Sequence, residues 1–337
     1  SRRFVRTQKA FYSFVIMKFL DLFAGIGGFR LGMESAGHEC VGFCEIDKFA
    51  RTSYKAIHDT TGEVEMHDIT SVTDEFVRGI GRVDVICGGF PCQAFSIAGK
   101  RQGFNDTRGT LFFEIGRFAS ILRPSYLFLE NVKGLLNHEG GATFETILRA
   151  LDALGYDVEW NLFNSKDYVP QNRERVFIIG HLRGSGTRKV FPFERESGSF
   201  NKERRINIVG STKREHQTSL GQREIVYGSD GLIGALTATD YKQPKQIAIP
   251  VLTPDRVEKK QNGRRFKDDG EEQAVVTEGF QIRKLTPREC WRLQGFPDWA
   301  FDKAAAVNSD SQLYKQAGNS VIVPVIADIA KRLQPTN

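Results

Sequence analysis

The stretch Phe19-Leu20-Asp21-Leu22-Phe23-Ala24-Gly25-Ile26-Gly27-Gly28 decides the fold, because an apolar run leads directly into a glycine-rich turn. The run predicts a buried β-strand, and the residues from Phe29 onward predict a helix that begins at the turn. Glycine lets the backbone approach a ligand closely at the N-terminus of such a helix. The stretch therefore predicts the first strand, turn and helix of an α/β domain, with a ligand site at the turn.

Four further apolar runs follow, separated by segments with helical spacing such as residues 144–154. The runs are Cys40-Val41-Gly42-Phe43, Val83-Asp84-Val85-Ile86-Cys87, Tyr126-Leu127-Phe128-Leu129 and Val176-Phe177-Ile178-Ile179. This alternation predicts a Rossmann-like α/β domain, in which helices cover a mostly parallel sheet. A helix from about Pro324 is expected to return to this domain.

Composition limits the function classes. The 337 residues are 40% hydrophobic, which is enough for one large domain with a sizeable core and a smaller second one. No run approaches the roughly 18 apolar residues that a membrane helix needs. Five cysteines in so long a chain argue against a disulfide scaffold and favour a reducing, cytoplasmic setting. Cys40 and Cys44 have no second pair at ligand spacing, so no metal site is predicted.

The formal net charge of +6 is concentrated in one part of the chain. Residues 183–292 contain 22 lysine and arginine residues against 15 acidic ones, whereas the rest holds 25 against 26. Such a surplus is typical of a module that binds a polyanion, although a solvated charged surface can have the same composition. Gly, Ser and charged residues dominate here, with short strand-like runs such as 246–251. We therefore predict a separate small domain rich in loops and strands.

An acid follows the glycine turn at a distance that suits a nucleoside. Glu45 lies 20 residues after Gly25, at the end of the second predicted strand, where a carboxylate can bind both ribose hydroxyls. Asp68 and Ile69 follow the third strand and can meet an adenine edge. The turn lacks the third glycine of the dinucleotide fingerprint, which favours an adenosyl cofactor over a nicotinamide dinucleotide.

A cysteine and a carboxyl group are predicted to share one pocket. Gly88-Gly89-Phe90-Pro91-Cys92-Gln93 follows a hydrophobic strand, and Glu130 ends the next one. The carboxyl ends of parallel strands form the ligand-binding edge of an open sheet. A cysteine in a Pro-kinked, Gly-rich turn beside a cofactor is typical of a nucleophile, whereas most lone buried cysteines only fill space.

Five blocks of sequence stand in one order along the chain. They are Asp21-Leu22-Phe23-Ala24-Gly25-Ile26-Gly27-Gly28, Gly89-Phe90-Pro91-Cys92-Gln93-Ala94-Phe95-Ser96, Glu130-Asn131-Val132, Gln171-Asn172-Arg173-Glu174-Arg175 and Gln316-Ala317-Gly318-Asn319-Ser320-Val321. Together they resemble the bacterial DNA cytosine-5 methyltransferases of restriction-modification systems, over nearly the whole chain after Met17. Each block alone is moderately specific, and the complete ordered set is very specific.

The resemblance implies an S-adenosylmethionine-dependent methyltransferase fold with a smaller target recognition domain. The expected parts are an N-terminal extension of natural or cloning origin (1–16), the catalytic and cofactor-binding domain (17–190), the target recognition domain and hinge (191–300) and a C-terminal segment that returns to the catalytic domain (301–337). The expected reaction is site-specific methylation of a flipped cytosine at C5, with S-adenosyl-L-methionine as cofactor and S-adenosyl-L-homocysteine as product.

The resemblance also implies roles for individual residues. Cys92 would add to C6 of the cytosine, Glu130 would hold N3 and the exocyclic amine, and Arg173 and Arg175 would steady the base, phosphate and catalytic loop. The expected cofactor-binding residues are Phe23, Gly25, Gly27, Glu45, Ile46, Asp68, Ile69, Pro91, Leu111, Asn319 and Val321. The expected DNA-binding residues are Gln93, Ser96, Lys100 and Arg101 in a loop after Cys92, and Arg223, Leu236, Thr237 and Lys242 in the variable region. Residues 235–242 resemble the Thr-Leu-containing recognition loops of relatives.

Alternative functions remain open at this point. An RNA cytosine-5 methyltransferase of the same family is disfavoured by the large basic module, a nicotinamide oxidoreductase by the missing glycine, and a catalytically dead DNA-binding protein by the Cys92–Glu130 pair. The expected partners are double-stranded DNA and a cognate restriction endonuclease, with no membrane. We expect a monomer in the bacterial cytoplasm, associated with the nucleoid through DNA.

Overall fold

The computed structural model describes residues 15–91, 111–192, 205–211, 225–250, 276–277 and 280–334. Its strands are β1 (Lys18–Leu22), β2 (Glu39–Cys44), β3 (Val64–Met66), β4 (Val85–Gly89), β5 (Tyr126–Val132), β6 (Tyr156–Asn164), β7 (Gln171–Asn172), β8 (Glu174–Leu182), β9 (Ile208–Ser211), β10 (Ile225–Gly228), β11 (Ile233–Gly234), β12 (Gln246–Pro250), β13 (Val276–Thr277) and β14 (Phe280–Lys284). Its α-helices are α1 (Gly28–Ser35), α2 (Lys48–Ile57), α3 (Asp74–Gly79), α4 (Leu111–Leu122), α5 (Ala142–Ala153), α6 (Pro287–Arg292), α7 (Asp298–Ala305), α8 (Asp310–Asn319) and α9 (Val323–Ala330).

Seven strands form the main sheet, in the order β3-β2-β1-β4-β5-β8-β6. The first five are parallel to one another, and β8 runs antiparallel to both of its neighbours. Side chains of β1 alternate between the two faces, with Leu20 and Leu22 packed among α4 and α5 and with Phe19 packed among α1 and α9. The predicted α/β fold with a mostly parallel sheet is confirmed.

The C-terminal helix α9 lies directly on α1. A Cβ atom added at Gly32 would lie 2.5 Å from Cγ2 of Ile326, so only glycine permits this approach. A Cβ atom at Gly28 would similarly lie 2.7 Å from Cγ2 of Val321. The last part of the chain therefore covers the helix that begins at the glycine turn.

A second sheet contains the strands of the basic part of the chain, in the order β13-β14-β12-β10-β9. The short strand β11 pairs in parallel with β7, which places Ile233 beside Gln171 and Gly234 beside Asn172. This pairing joins the second sheet's segment to the catalytic domain. The boundaries of the recognition domain at residues 191 and 300 stay a prediction.

A buried carboxyl group lies below the glycine turn. Asp21 is fully buried, and its Oδ2 accepts a hydrogen bond from the Tyr54 hydroxyl at 3.4 Å. Its Oδ1 has no hydrogen-bond partner within the described parts of the chain. The nearby Arg30 instead pairs with Glu34 and Glu63, each at 2.7 Å. Burial raises the pKa of Asp21 well above its usual range, against the lowering effect of the Arg30 charge.

We expect the Asp21→Asn variant to gain stability, relative to the original chain, as the pH rises. A carboxyl group with a raised pKa in the folded state contributes stability below its ordinary pKa and loses that contribution as the pH rises through the raised value. The amide does not titrate, so the free energy of unfolding of Asp21→Asn, relative to the original chain, should increase from about pH 4.5 upward by about 1.4 kcal/mol for each pH unit until the raised pKa is reached. Urea unfolding at several pH values measures this difference. A difference that is constant or falls with pH would contradict it.

Candidate active site

The predicted acid lies near the carboxyl end of β5, and the predicted nucleophile comes three residues after the end of the neighbouring parallel strand β4 in the sequence. Gly89, the last residue of β4, lies opposite Glu130. The buried side-chain amide of Asn131 donates a hydrogen bond to the carbonyl oxygen of Phe90 at 2.9 Å. Asn131 therefore fixes the turn that leads through the exposed Pro91 toward Cys92, a role that its place in a motif did not reveal. Cys92 itself lies outside the described residues, as do Gln93, Ser96, Lys100, Arg101 and Arg223.

Glu130 is a buried carboxyl group, 7% exposed, with an arginine at its side. Nε of Arg175 lies 2.8 Å from Oε1, which makes an ion pair. The N–H is not aligned with this oxygen, so Oε1 accepts no hydrogen bond from the residues that the structure describes. Burial raises the pKa of Glu130, and the charges of Arg175 and Arg173 oppose that rise. The Glu130 carboxyl group can therefore form hydrogen bonds with the polar edge of a ligand.

Gly89 makes room for this carboxyl group. A Cβ atom at position 89 would lie 3.2 Å from Oε2 of Glu130 and 3.8 Å from Cγ1 of Val321. Gly89 thus has a spatial reason that the sequence alone did not show, because a side chain at this position would approach the Glu130 carboxyl group closely.

Arg173 makes different contacts from Arg175. Its Nη1 donates to the carbonyl oxygens of Leu236 at 3.0 Å and Gly318 at 3.1 Å, and its Nη2 donates to that of Ser320 at 2.8 Å. Its side chain is 4% exposed, and burial together with the Arg175 charge lowers the pKa of Arg173 to about 9. Both terminal nitrogens are thus engaged by main-chain oxygens. The predicted contact of Arg173 with the base stays a prediction.

The glycine turn contains three residues with left-handed backbone. Phe23 has φ 55°, Gly25 has φ 56° and Gly27 has φ 83°. This conformation is unfavourable for phenylalanine, and strain of this kind is common at ligand sites. A Cβ atom at Gly25 would meet nothing within 4 Å, whereas one at Gly27 would lie 2.1 Å from Nε2 of the buried His58. Gly25 therefore borders open space, and Gly27 is required by packing, so its direct contact with a cofactor stays a prediction.

Glu45 lies beside this turn. Its two carboxylate oxygens accept hydrogen bonds from the backbone N–H of Gly25 at 2.8 Å and of Asp47 at 2.7 Å. Burial raises the pKa of Glu45, and these two hydrogen bonds oppose the rise. The next side chain, Ile46, is 68% exposed although it is apolar. An acid for ribose hydroxyls, an apolar surface for a purine and an open turn together fit an adenosyl cofactor.

The remaining predicted cofactor residues differ in their positions. Asp68 caps the short 3₁₀ helix Ile69–Ser71, and a hydrogen bond from the Thr70 side chain lowers its pKa. Ile69 is only 3% exposed and packs in the core, so only its backbone can face a ligand. Leu111 begins α4 and is half-buried. The exposed Asn319 ends α8, and the half-buried Val321 contacts the glycine turn.

The segment of residues 235–242, here called the recognition loop, is stabilised by a buried side chain and by hydrogen bonds within the loop. Leu236 is 3% exposed, and Thr237 donates to Asp240 from its N–H at 3.1 Å and from its hydroxyl at 2.5 Å. The side chain of Leu236 therefore packs beneath the loop, and the predicted contact of Leu236 with DNA stays a prediction. Tyr241 and Lys242 are exposed, with Nζ of Lys242 5.8 Å from the centre of the Tyr241 ring.

The model of the C-5 cytosine-specific DNA methylase family matches residues 17–335. The chain belongs to this family. It is 40% identical to the type II methyltransferase M1.ScrFI of Lactococcus lactis subsp. cremoris, over 94% of this chain and 77% of the relative. It is 38% identical to the type II methyltransferase M.HpaII of Haemophilus parainfluenzae, over 94% and 88%. It is 33% identical to the orphan methyltransferase M.SPRI of Bacillus phage SPR, over 94% and 97%.

Solved structures share the fold. The S. pombe Dnmt2 methyltransferase matches with a TM-score of 0.63 and 20% identity, over 94% of this chain and 98% of that one. The Entamoeba histolytica methyltransferase EhMeth matches with a TM-score of 0.62 and 20% identity, over 93% and 96%. Family membership makes the protein a DNA cytosine-5 methyltransferase with S-adenosylmethionine as its cofactor. Within the described residues, no helix has the length and apolar character needed to cross a membrane.

Proposed function

We propose that Cys92 and Glu130 carry out the methylation of a flipped cytosine within a specific DNA site. The observation that carries this assignment is the position of Glu130, a buried acid paired with Arg175 at the strand end adjacent to the turn of Cys92. A base placed between the two groups would meet a nucleophile on one side and a hydrogen-bonding acid at its polar edge. Extrusion of the base from the duplex costs a few kcal/mol and makes its ring accessible.

The chemistry requires activation of the ring, because C5 of cytosine is a weak nucleophile. The thiolate of Cys92 forms a bond to C6 while the Glu130 carboxyl group gives a proton or hydrogen bond to N3. The electron pair of the C5–C6 double bond then forms a C4–C5 double bond and the C4–N3 π pair moves to N3, which makes C5 enamine-like. S-adenosylmethionine, when bound, supplies an electrophilic methyl group on a sulfonium centre. Transfer of that group to C5 would leave S-adenosylhomocysteine, re-form the C4–N3 double bond and return the N3 proton to Glu130. Loss of the C5 proton to solvent water would then re-form the C5–C6 double bond as Cys92 leaves as a thiolate.

The cofactor would be held by the residues around the glycine turn. Glu45 would accept hydrogen bonds from the ribose hydroxyls, and Ile46 would cover one face of the adenine. The open side of Gly25 would admit the chain that carries the methyl group, and Asp68 would bind the adenine edge. These roles follow from a carboxylate fixed by two backbone N–H groups and from an apolar side chain that projects into solvent.

Recognition of the DNA site would lie in residues 191–300. Its net positive charge supports this assignment, since it contains 19 lysine and arginine residues against 16 acidic ones. Most of these basic residues would meet phosphates and thus fix the position of the duplex. We also propose that the protein acts as a monomer and protects a site cut by a cognate endonuclease, which the type II designation of two relatives supports.

A mechanism-based adduct tests the covalent step. Bisulfite sequencing of DNA from cells that express the protein first identifies the modified site. A duplex with 5-fluorocytosine at that position should then form a complex that survives denaturation and depends on S-adenosylmethionine, because fluorine at C5 cannot leave as the proton does. The same duplex with ordinary cytosine, and the Cys92→Ser variant, serve as controls that should give no stable complex. A confirmed target that yields no adduct would overturn the covalent mechanism.

A further inference from the structure

Three side chains at alternate positions of one extended segment contact three functional parts of the protein. Arg175 pairs with Glu130, and Arg173 donates to carbonyl oxygens of the recognition loop and of residues 318–320. Gln171 accepts a hydrogen bond from the backbone N–H of Leu236 at 3.0 Å. Residues 171, 173 and 175 alternate with 172 and 174, as expected for side chains on one side of extended backbone. Five consecutive residues thus connect the base-binding acid with the recognition loop.

The recognition loop is held through hydrogen bonds to its backbone. Leu236 is held at its N–H by Gln171 and at its carbonyl oxygen by Arg173. A Cβ atom at Gly318 would lie 2.2 Å from both the carbonyl carbon and oxygen of Thr237, so the two backbones are in direct contact. Gln171 in turn donates to the carbonyl oxygen of Leu293 at 2.9 Å. These hydrogen bonds therefore connect segments that are far apart along the chain.

The shape of the loop is also fixed internally. Asp240 accepts both the N–H and the hydroxyl of Thr237, and its Oδ2 lies 3.9 Å from Nζ of Lys245, with both charged side chains buried. A buried ion pair with satisfied hydrogen bonds restricts its neighbours to few conformations. Tyr241 and Lys242 follow this rigid turn and project outward. Their positions depend on how Leu236 and Thr237 are held.

We infer that Arg173 is a positioning residue that holds the recognition loop at a fixed place relative to Glu130, and so couples reading of the DNA site to attack on the base. The inference rests on the proposed function in that it assumes site-specific methylation. The planar guanidinium suits this role, because it can donate to two chain segments at once, which a lysine ammonium on a flexible stem does with less fixed geometry. Arg173 acts on the base only through the loop and through its neighbour Arg175.

The test compares cognate DNA with duplexes that carry one changed base pair in the site. Arg173→Lys and Gly318→Ala are each expected to reduce the ratio of kcat/KM for cognate over changed duplexes by about tenfold, while S-adenosylmethionine binding is unchanged. Gly318→Ala leaves every charged group in place and forces the Thr237 backbone away. Arg175→Lys is the matched comparison, since it alters the partner of Glu130 and should lower kcat similarly on all duplexes.

Several outcomes would overturn the inference. If Arg173→Lys lowers kcat equally on all duplexes and leaves the ratio intact, Arg173 acts at the base and not on the loop. A wild-type ratio in folded Gly318→Ala contradicts the coupling as well. Hydrogen exchange of the unaltered protein without DNA gives a further check, because the amides of Leu236 and Thr237 should be protected, and unprotected amides would refute a preset loop. The unaltered protein is measured first on cognate DNA. If it methylates no cytosine, the proposed function is refuted, and not only this inference.

Discussion

Replacement of Cys92 by alanine is expected to lower methyl transfer by more than about 10⁴-fold, because removal of a covalent nucleophile eliminates the reaction path and not just one contact. Without the thiolate, C5 of cytosine never gains enamine character. Binding of DNA and of S-adenosylmethionine should change little, since the thiol is expected to contribute little to the affinity for either. Transfer of a labelled methyl group to duplex DNA measures turnover, and gel retardation and calorimetry measure the two binding steps.

The chain offers a matched control for this substitution. Cys87 lies five residues earlier, fully buried within β4, and burial raises the pKa of its thiol well above the ordinary value. A thiol that stays protonated in a core is not a nucleophile. Cys87→Ala should therefore keep methylation with at most a modest loss of stability. Activity that survives in Cys92→Ala would remove Cys92 from the mechanism. Activity that disappears equally in the folded Cys87 variant would show that the loss is not specific to Cys92.

Replacement of Glu130 by glutamine is expected to lower turnover by about 10²–10⁴-fold, the usual contribution of a positioned acid or base. Glutamine keeps the shape and some hydrogen bonding but cannot transfer a proton to N3. In the unaltered enzyme, burial raises the pKa of Glu130, and the acid form is the one that can give a proton. The decline in rate as the pH rises through that raised pKa should consequently disappear in the variant. Single-turnover rates between pH 5 and 9 measure both effects.

Glu174 provides the comparison for Glu130. It is a partly exposed acid in the neighbouring strand, paired with Lys133 at 2.9 Å, and such surface pairs contribute about 0–1 kcal/mol. Glu174→Gln should keep near-normal turnover and the original pH profile. If Glu130→Gln also turns over at a near-normal rate, Glu130 has a structural role, and its pairing with Arg175 serves only to neutralise a buried charge.

The parts of the fold predicted well from sequence are those whose signals are local. The apolar runs and the glycine turn gave the central parallel strands and the start of α1, because strand, turn and helix follow one another within about ten residues. The strand β6 was not predicted. It is the edge strand beside β8. Its residues include the exposed Trp160 and the polar Asp157 and Glu159, so no continuous apolar run marks it in the sequence. The antiparallel direction of β8 has no local signal either.

In the candidate site, too, residues with a local sequence signal could be predicted and contacts between distant segments could not. Glu130, Glu45 and Gly25 could be placed from strand ends and spacing, and the structure gives each a position that suits its expected role. The contacts of Arg173 could not be found in this way, since its partners lie 63, 145 and 147 residues away. Leu236 was expected at the DNA because its segment resembles recognition loops, and that contact stays a prediction. The burial of its side chain in the core cluster that contains Trp291 is set by tertiary packing and has no local signal.

The contacts of the recognition loop with Gln171, Arg173 and Gly318 use main-chain atoms of the loop: the N–H and carbonyl oxygen of Leu236 and the carbonyl group of Thr237. Every amino acid except proline has these same atoms, so these contacts do not depend on the side chains of the loop. Mutations at outward positions such as Tyr241 and Lys242 can accumulate without loosening the loop from its support. Under the proposed role of this loop in reading DNA, the choice of DNA site can evolve while the chemistry stays constant, and a library varied at those two positions is a rational starting point for changing that choice.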